Sequence, residues 1–207
     1  GAAIARHVKE FAQEVLYVST VGDRDDSHAF AAKLLEEEDI KCQWFTWPDT
    51  FTVTKRRYIT GGYPNPLARD VHLGKREPDT RLFEIGFMPE LPLPTTIEAE
   101  ICTYLEQIVP TYDLVILADF GHGLISPRVA ETVAAHSQWW AVNGQTNSSN
   151  FGFNRITKYH KPDFVCIDEL EARLPSGDKN RALDEIASDL LKMTESQSMM
   201  ITRGSAG

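Results

Sequence analysis

The chain is short of the features that mark disulfide-built, membrane-spanning or nucleic-acid-binding proteins. Its 207 residues hold three cysteines, Cys42, Cys102 and Cys166, an odd number, far apart and without a C-x-x-C pair. That pattern disfavours a disulfide framework and a zinc knuckle, and it makes a reducing cytoplasm the expected setting. Long apolar runs are missing as well. The stretch Leu114–Ala118 is among the longest at five residues, where a bilayer-crossing helix needs roughly 20. Gly1–His7 shows no charged stretch leading into an apolar one, so no secretory leader is read there. Basic charge is scarce: 21 Lys+Arg stand against 30 Asp+Glu, a formal charge of −9. Without a basic stripe the counterion-release term that drives nucleic-acid binding is lost, and attraction to an anionic membrane surface is lost with it. Neither nucleic acid nor membrane is an expected partner. What remains is ordinary globular composition, 42% hydrophobic and 25% charged, at a length suited to one large domain.

The pattern along the chain predicts an α/β fold. Ile4, Val8 and Phe11 fall at helical spacing, and Val15–Val21 is a short apolar strand ending at Gly22-Asp23. A helix through Phe30, Leu34 and Leu35 follows, closing in the acidic run Glu36–Asp39. From Ile40 to Gly62 the text turns aromatic and β-branched, with Trp44, Phe45 and Trp47, then Phe51–Thr54, then Tyr58–Thr60. This predicts antiparallel strands exposed on one face, a lid outside the main layer. Residues 63–80 read as a mobile Pro- and Gly-rich loop, and Arg81–Phe87 as a returning strand, so the lid is placed at about 40–90. Thr95-Thr96-Ile97-Glu98 has the letters of a capping box. In the second half, Asp113–Ala118 is the continuous apolar text of a strand buried on both faces, and Ser126-Pro127 an N-cap with proline at N1. Strands at Trp139–Asn143, Phe164–Ile167 and Ser198–Thr202 alternate with helices around 168–174 and 179–193. Such alternation predicts a doubly wound, mainly parallel sheet with crossover helices.

In open α/β sheets ligands collect at the carboxyl ends of strands. Three segments sit there. Asp119-Phe120-Gly121-His122-Gly123 follows the buried strand; it reads either as a ligand-facing loop with glycines allowing close approach, or as a tight turn capped by Asp119. Thr202-Arg203-Gly204-Ser205-Ala206-Gly207 offers a hydroxyl and successive amides, a phosphate cradle or simply a turn. Asp168-Glu169-Leu170-Glu171 places carboxylates at a helix start, to hold Mg²⁺ through water or to answer the helix dipole. Two other polar groups read more simply as structure: Asp23, Asp25, Asp26 and His28 as a helix start, and Gln145–Asn154, including the sequon letters Asn147-Ser148-Ser149, as a surface loop bordering the cleft at most.

Taken in order, D-F-G-H-G, then K-P-D-F-V-C-I-D-E-L-E-A-R-L, then I-T-R-G-S-A-G resemble the ribokinase (PfkB) superfamily of carbohydrate kinases, and within it the bacterial heptose-phosphate kinases. The early segments I-A-R-H, V-S-T-V-G-D and T-V-T-K-R-R-Y-I fit the same pattern. The resemblance implies a ribokinase-like domain with a β lid, using ATP and Mg²⁺ to phosphorylate a hydroxyl of a sugar or sugar phosphate. It assigns Asp119, Gly121, Gly123, Lys55 and Arg57 to the substrate, Thr202, Gly204 and Gly207 to the nucleotide, and Glu169 to the metal. It puts the catalytic base, an aspartate of a G-A-G-D segment, beyond Gly207, and the first strand before Gly1, so that 1–207 reads as part of a larger domain. It further implies a homodimer through the lid and a fused nucleotidyltransferase. Three positions depart from the pattern: Ala3 for Asn, His122 for the Lys of D-Y-G-K-G, and Cys166 for the Asn of N-x-x-E. These exchanges leave a second reading, an inactive kinase-like binding or assembly module. A Rossmann oxidoreductase is disfavoured, because Val18–Gly22 leads into Asp23-Arg24-Asp25 and not into G-x-G-x-x-G.

Overall fold

In a computed structural model the protein is described over residues 1–60, 80–146 and 150–206. The loop expected at 63–80 lies almost wholly outside these residues, as do Gly207 and the sequon letters 147–149. The chain runs α1 (Ala2–Lys9), β1 (Leu16–Gly22), α2 (Ser27–Glu36), β2 (Lys41–Trp47), β3 (Thr54–Thr60), β4 (Thr80–Phe87) and α3 (Thr95–Ile108). It continues with β5 (Val115–Asp119), α4 (Pro127–His136), β6 (Trp140–Gly144), β7 (Phe164–Asp168), α5 (Glu169–Arg173), α6 (Leu183–Thr194) and β8 (Ser198–Thr202). The mainly parallel α/β architecture expected from the sequence is the one adopted.

β5, β6, β7 and β8 form a four-stranded sheet in that order, every neighbouring pair parallel. Parallel neighbours need crossovers, and these strands are buried by the helices the crossovers contain. Val142, Val165 and Ile167 from the sheet meet Ile101 and Leu105 of α3, Val129 and Val133 of α4, and Ile186 and Leu190 of α6 in one apolar core. Full burial of one such side chain stabilises by about 1.5–3 kcal/mol. Ser126 caps α4 as expected, its Oγ accepting the Val129 N–H at 3.2 Å ahead of Pro127 at N1.

Two expectations are corrected. β2 is not a lid strand: it pairs in parallel with β1, Leu16 opposite Lys41 through Gly22 opposite Trp47. Its consecutive aromatics face opposite sides and both sides are covered, Trp44 packing edge-on against Tyr17 at 5.4 Å and Phe45 against Tyr104 of α3 at 5.8 Å. The antiparallel ribbon is confined to β3 and β4. The capping box at Thr95–Glu98 also does not form. Pro94 is the N-cap, no side chain caps the helix, and Glu98 instead donates its backbone N–H to Pro94 O at 2.9 Å. Proline's fixed φ sets the helix entry one residue earlier than the threonine pattern implied.

Candidate functional site at the carboxyl edge of the sheet

Parallel register brings the carboxyl ends of the four strands to one edge: Asp119 lies opposite Gly144, and Asp168 opposite Thr202. All three loops singled out in the sequence therefore leave the sheet on the same side.

The loop after β5 is fixed from every direction. Asp119 is 3% exposed, and its Oδ1 accepts the Gly121 N–H at 2.7 Å, the capped turn anticipated as one of two readings. Its Oδ2 accepts from Lys158 Nζ at 2.5 Å and from the Tyr159 hydroxyl. Burial, with Asp119 adding to it, pushes the Tyr159 hydroxyl far above the ordinary phenol range, so it keeps the proton it donates to Asp119. Gly121 has φ +68°, and a Cβ there would lie 1.6 Å from Asn150 Nδ2. Gly123, at φ +94°, would meet the Trp47 ring at 3.1 Å. Both positions need glycine for conformation and for room.

The segment between β6 and β7 locks this loop. Asn150 Nδ2 donates to Phe120 O at 3.2 Å, and the buried Asn154 donates to Gln145 O at 3.2 Å. These are residues the sequence reading had assigned to a surface loop. The only local signal was the density of asparagine beside Gly152; Phe120 O lies 30 residues before Asn150, and Asp119 O, which Asn154 Nδ2 also reaches at 3.4 Å, lies 35 residues before Asn154, separations that spacing does not reveal.

At β7, Asp168 caps α5 reciprocally with Glu171. Asp168 Oδ1 accepts the Glu171 N–H and Glu171 Oε2 accepts the Asp168 N–H, both at 2.8 Å. Glu171 Oε1 also accepts the Thr146 N–H at 2.7 Å, tying the tip of β7 to the loop after β6. Burial raises the Glu171 carboxyl above the usual range. Glu171 was absent from the predicted site residues, although Asp168-x-x-Glu171 has the same spacing as the N-x-x-E frame in which Glu169 was chosen. Glu169 itself accepts from Arg173 Nε and Nη2 at 3.0 and 2.7 Å, and from Arg203 Nε at 3.2 Å. These hydrogen bonds hold its carboxyl below the usual range. Arg203 thereby bridges the loops after β7 and β8. Gly204 follows at φ +57° with open space where a Cβ would stand, opening a single 3-10 turn at Gly204–Ala206.

Among the described residues, Lys55 of the ribbon acts on the site through its charge. On β3, Lys55 and Arg57 share a face opposite Gly86 and Glu84, while Arg56 and Tyr58 share the other with Ile85 and Phe83. Arg57 pairs with Glu84 at 2.7 Å. Lys55 is close enough to His122 to disfavour its protonation; burial is the larger cause, and together they lower the imidazole below its ordinary value. Lys55 thus acts on the Asp119 loop through its charge, and Arg57 is paired within the ribbon. The acidic cluster after β1 behaves as a turn: Asp25 accepts from Ser27 N at 2.8 Å and Thr52 N at 3.2 Å.

Thr202, Arg203 and the positive-φ Gly204 supply hydroxyl, guanidinium and backbone donors. Among the described residues no three His, Cys, Asp or Glu side chains gather as a metal nest. Glu169 gives one oxygen to the Arg173 guanidinium and the other to Arg203. No helix of the described residues is long and apolar enough to cross a membrane.

No family model matches the chain. It is 19% identical over 206 residues to a Bradyrhizobium diazoefficiens protein described as bifunctional protein HldE, covering 99% of this chain and 38% of that one. Among solved structures, ribokinase from Giardia lamblia matches at TM-score 0.63 and 18% identity over 99% of this chain and 59% of its own. Phosphofructokinase-2 from Escherichia coli, in complex with substrates and products, matches at TM-score 0.65 and 11% identity over 99% of this chain and 61% of its own. A carbohydrate kinase from Agrobacterium tumefaciens gives TM-score 0.62 and 14% identity over 99% and 58%. The chain thus spans about two fifths of the curated relative's length and about three fifths of these kinases'. Its structural neighbours are PfkB-type carbohydrate kinases, and the chain has their ribokinase-like fold.

Proposed function

We propose that this chain carries the sugar- and phosphate-binding part of a PfkB-type carbohydrate kinase that moves the γ-phosphoryl group of ATP to a hydroxyl of a sugar or sugar phosphate. The observation that carries this reading is the convergence of the Asp119–Gly123, Asp168–Glu171 and Thr202–Gly204 loops on one sheet edge. Phosphoryl transfer needs positioning and charge neutralisation more than covalent chemistry from the protein, and that edge is built for both. Gly121 and Gly123 hold the left-handed turn that presents the loop to the acceptor, Lys55 adds positive charge from the lid for an anionic sugar, and Arg57 would join it by exchanging its Glu84 partner for the sugar's anion. Thr202, Gly204 and Gly207 take the nucleotide phosphates. Glu169 acts by aiming Arg203 at them, and Mg²⁺ arrives on the nucleotide.

The lid's outward face supports a homodimer. Tyr58 stacks on Phe83 at 4.4 Å with Ile85 beside them, all exposed, an apolar surface that a second copy would cover. A fused nucleotidyltransferase and a cytoplasmic setting belong to the same reading. One observation favours a noncatalytic binding module as the second reading: Asp119 is sealed and fully partnered, so it offers a substrate no free carboxylate.

Coupled detection of ADP release by the full-length protein, across sugars and sugar phosphates with MgATP, decides between them. Turnover on at least one acceptor is expected. MgADP binding without turnover on any acceptor would favour the module, and neither binding nor turnover would end both readings.

A further inference from the structure

The strand-tip cleft contains a cation that neither the sequence motifs nor the proposed roles use. Lys158 arrives from the 3-10 turn Ile156–Lys158 between β6 and β7. Its Nζ donates to Asp119 Oδ2 at 2.5 Å and to Asn154 Oδ1 at 2.6 Å, and it stands 5.0 Å from the centre of the Tyr159 ring. Asn154 is held in turn through Nδ2, which donates to Gln145 O at 3.2 Å and Asp119 O at 3.4 Å. An ammonium has three hydrogens, and the protein takes two of them. The side chain is 31% exposed while its partner Asp119 is almost fully covered, so the pair is buried on the carboxylate side and open on the amine side.

That asymmetry argues against a purely internal counterion. Desolvating two charges is seldom repaid by their attraction, and neutral donors hold a buried carboxylate with less penalty. Asp119 already has two such donors, the Gly121 N–H and the Tyr159 hydroxyl. The lysine is therefore surplus to the carboxylate's needs, yet it is gripped by two acceptors. The loop supplies no fixed cation of its own either, because burial and Lys55 disfavour a charged His122.

We propose that Lys158 is a ligand-binding residue of the strand-tip cleft, its ammonium aimed by Asp119 and Asn154 to donate its third hydrogen to a phosphate oxygen of the bound ligand. Asp119 is then a positioning residue, acting through Lys158, and not itself a ligand contact. The inference rests on the kinase reading and deepens it: the ligand carries a phosphate, either on the acceptor sugar or as the nucleotide's terminal group.

The test is calorimetric titration of the full-length protein with two probes, inorganic phosphate and MgADP. Lys158→Met leaves Asp119 without its counterion and risks the fold, so the deciding variant is Asp119→Asn with Lys158→Met, which removes both charges together. Lys158→Arg keeps the charge, and Lys161→Met removes an exposed lysine of the same segment, paired only with Glu195 at 3.6 Å. The double variant, folded as judged by an unchanged cooperative melt, is expected to lose roughly tenfold or more in affinity for at least one probe, the scale of a charge-assisted hydrogen bond. Lys158→Arg is expected to retain most of the affinity and Lys161→Met all of it. Loss confined to inorganic phosphate marks the acceptor's phosphate; loss confined to MgADP marks the nucleotide's. A folded double variant that binds both probes within about twofold of wild type overturns the proposal and leaves the kinase reading standing. A wild-type protein that binds neither probe overturns the two together.

Discussion

The loops after β5 and β8 leave the same sheet edge and differ in how firmly each is held. The β5 loop is determined from four sides: Asp119 caps it, Lys158 and Tyr159 hold the cap, Asn150 fills the space beside Gly121, and Trp47 closes on Gly123. The β8 turn has one tie across to the neighbouring loop, Arg203 to Glu169 at 3.2 Å, and open space around Gly204. Under the proposed kinase function, a preorganised acceptor side facing a lightly held phosphate turn is what positioning catalysis calls for, since the acceptor must be fixed while the nucleotide enters and leaves.

The comparison can be broken first at its strongest point. Asp119→Ala strands the Lys158 ammonium and the Tyr159 hydroxyl, and it is expected to destabilise the fold by about 3–5 kcal/mol, read from urea unfolding. A loss under about 1 kcal/mol, the level of an ordinary surface change, would mean the loop is not built around this carboxylate. Gly121→Ala comes next. It combines a left-handed backbone with displacement of Asn150, and a loss of about 2 kcal/mol is expected. The matching substitution in the other loop, Gly204→Ala, meets no neighbour and carries only the conformational term, about 1 kcal/mol. If the two alanine variants melt together, the contrast between the loops fails.

The smallest effect is a pH dependence at His122. Its folded-state pKa lies below the ordinary imidazole value of 6.5, so the unfolded chain binds the proton more readily. Stability is then full above pH 6.5 and declines as pH falls from there through the depressed folded value. Melting wild type and His122→Asn between pH 7.5 and 5, roughly the window in which histidine titrates, should show a steeper decline in the wild type. Parallel curves would remove His122 from the buried environment described.

The second half of the chain was legible because strands buried on both faces leave continuous apolar text, as Val115–Ala118 and Phe164–Ile167 do. β2 was misread for a related reason. Trp44, Phe45 and Trp47 are interspersed with Gln43 and Thr46 as in a half-exposed strand, but α3 covers one face through Tyr104 and Tyr17 of β1 lies against the other. At Thr95–Glu98 the letters of a capping box were present and the preceding proline overrode them. Within the site, the glycine loops could be read from their order. Lys158, Tyr159 and Asn154 could not, because side chains that bond Asp119 at its carboxylate or its main-chain oxygen from 35 to 40 residues further along leave no periodicity or motif. Glu171 was obscured by Glu169, which has the more exposed position and the same chemistry; burial and the bonds from the Asp168 and Thr146 N–H groups set Glu171 apart, while Glu169 pairs with Arg173 and Arg203.

The central claim is that three loops on one sheet edge bind the phosphates. Amide chemical-shift mapping of the full-length protein titrated with MgADP tests it most directly. The account predicts saturable shifts at Asp168–Glu171 and Thr202–Gly204 together, extending to Gly121–Gly123 when a sugar phosphate is added. Shifts gathered instead around α1 and α2, with these three loops unmoved, would contradict it.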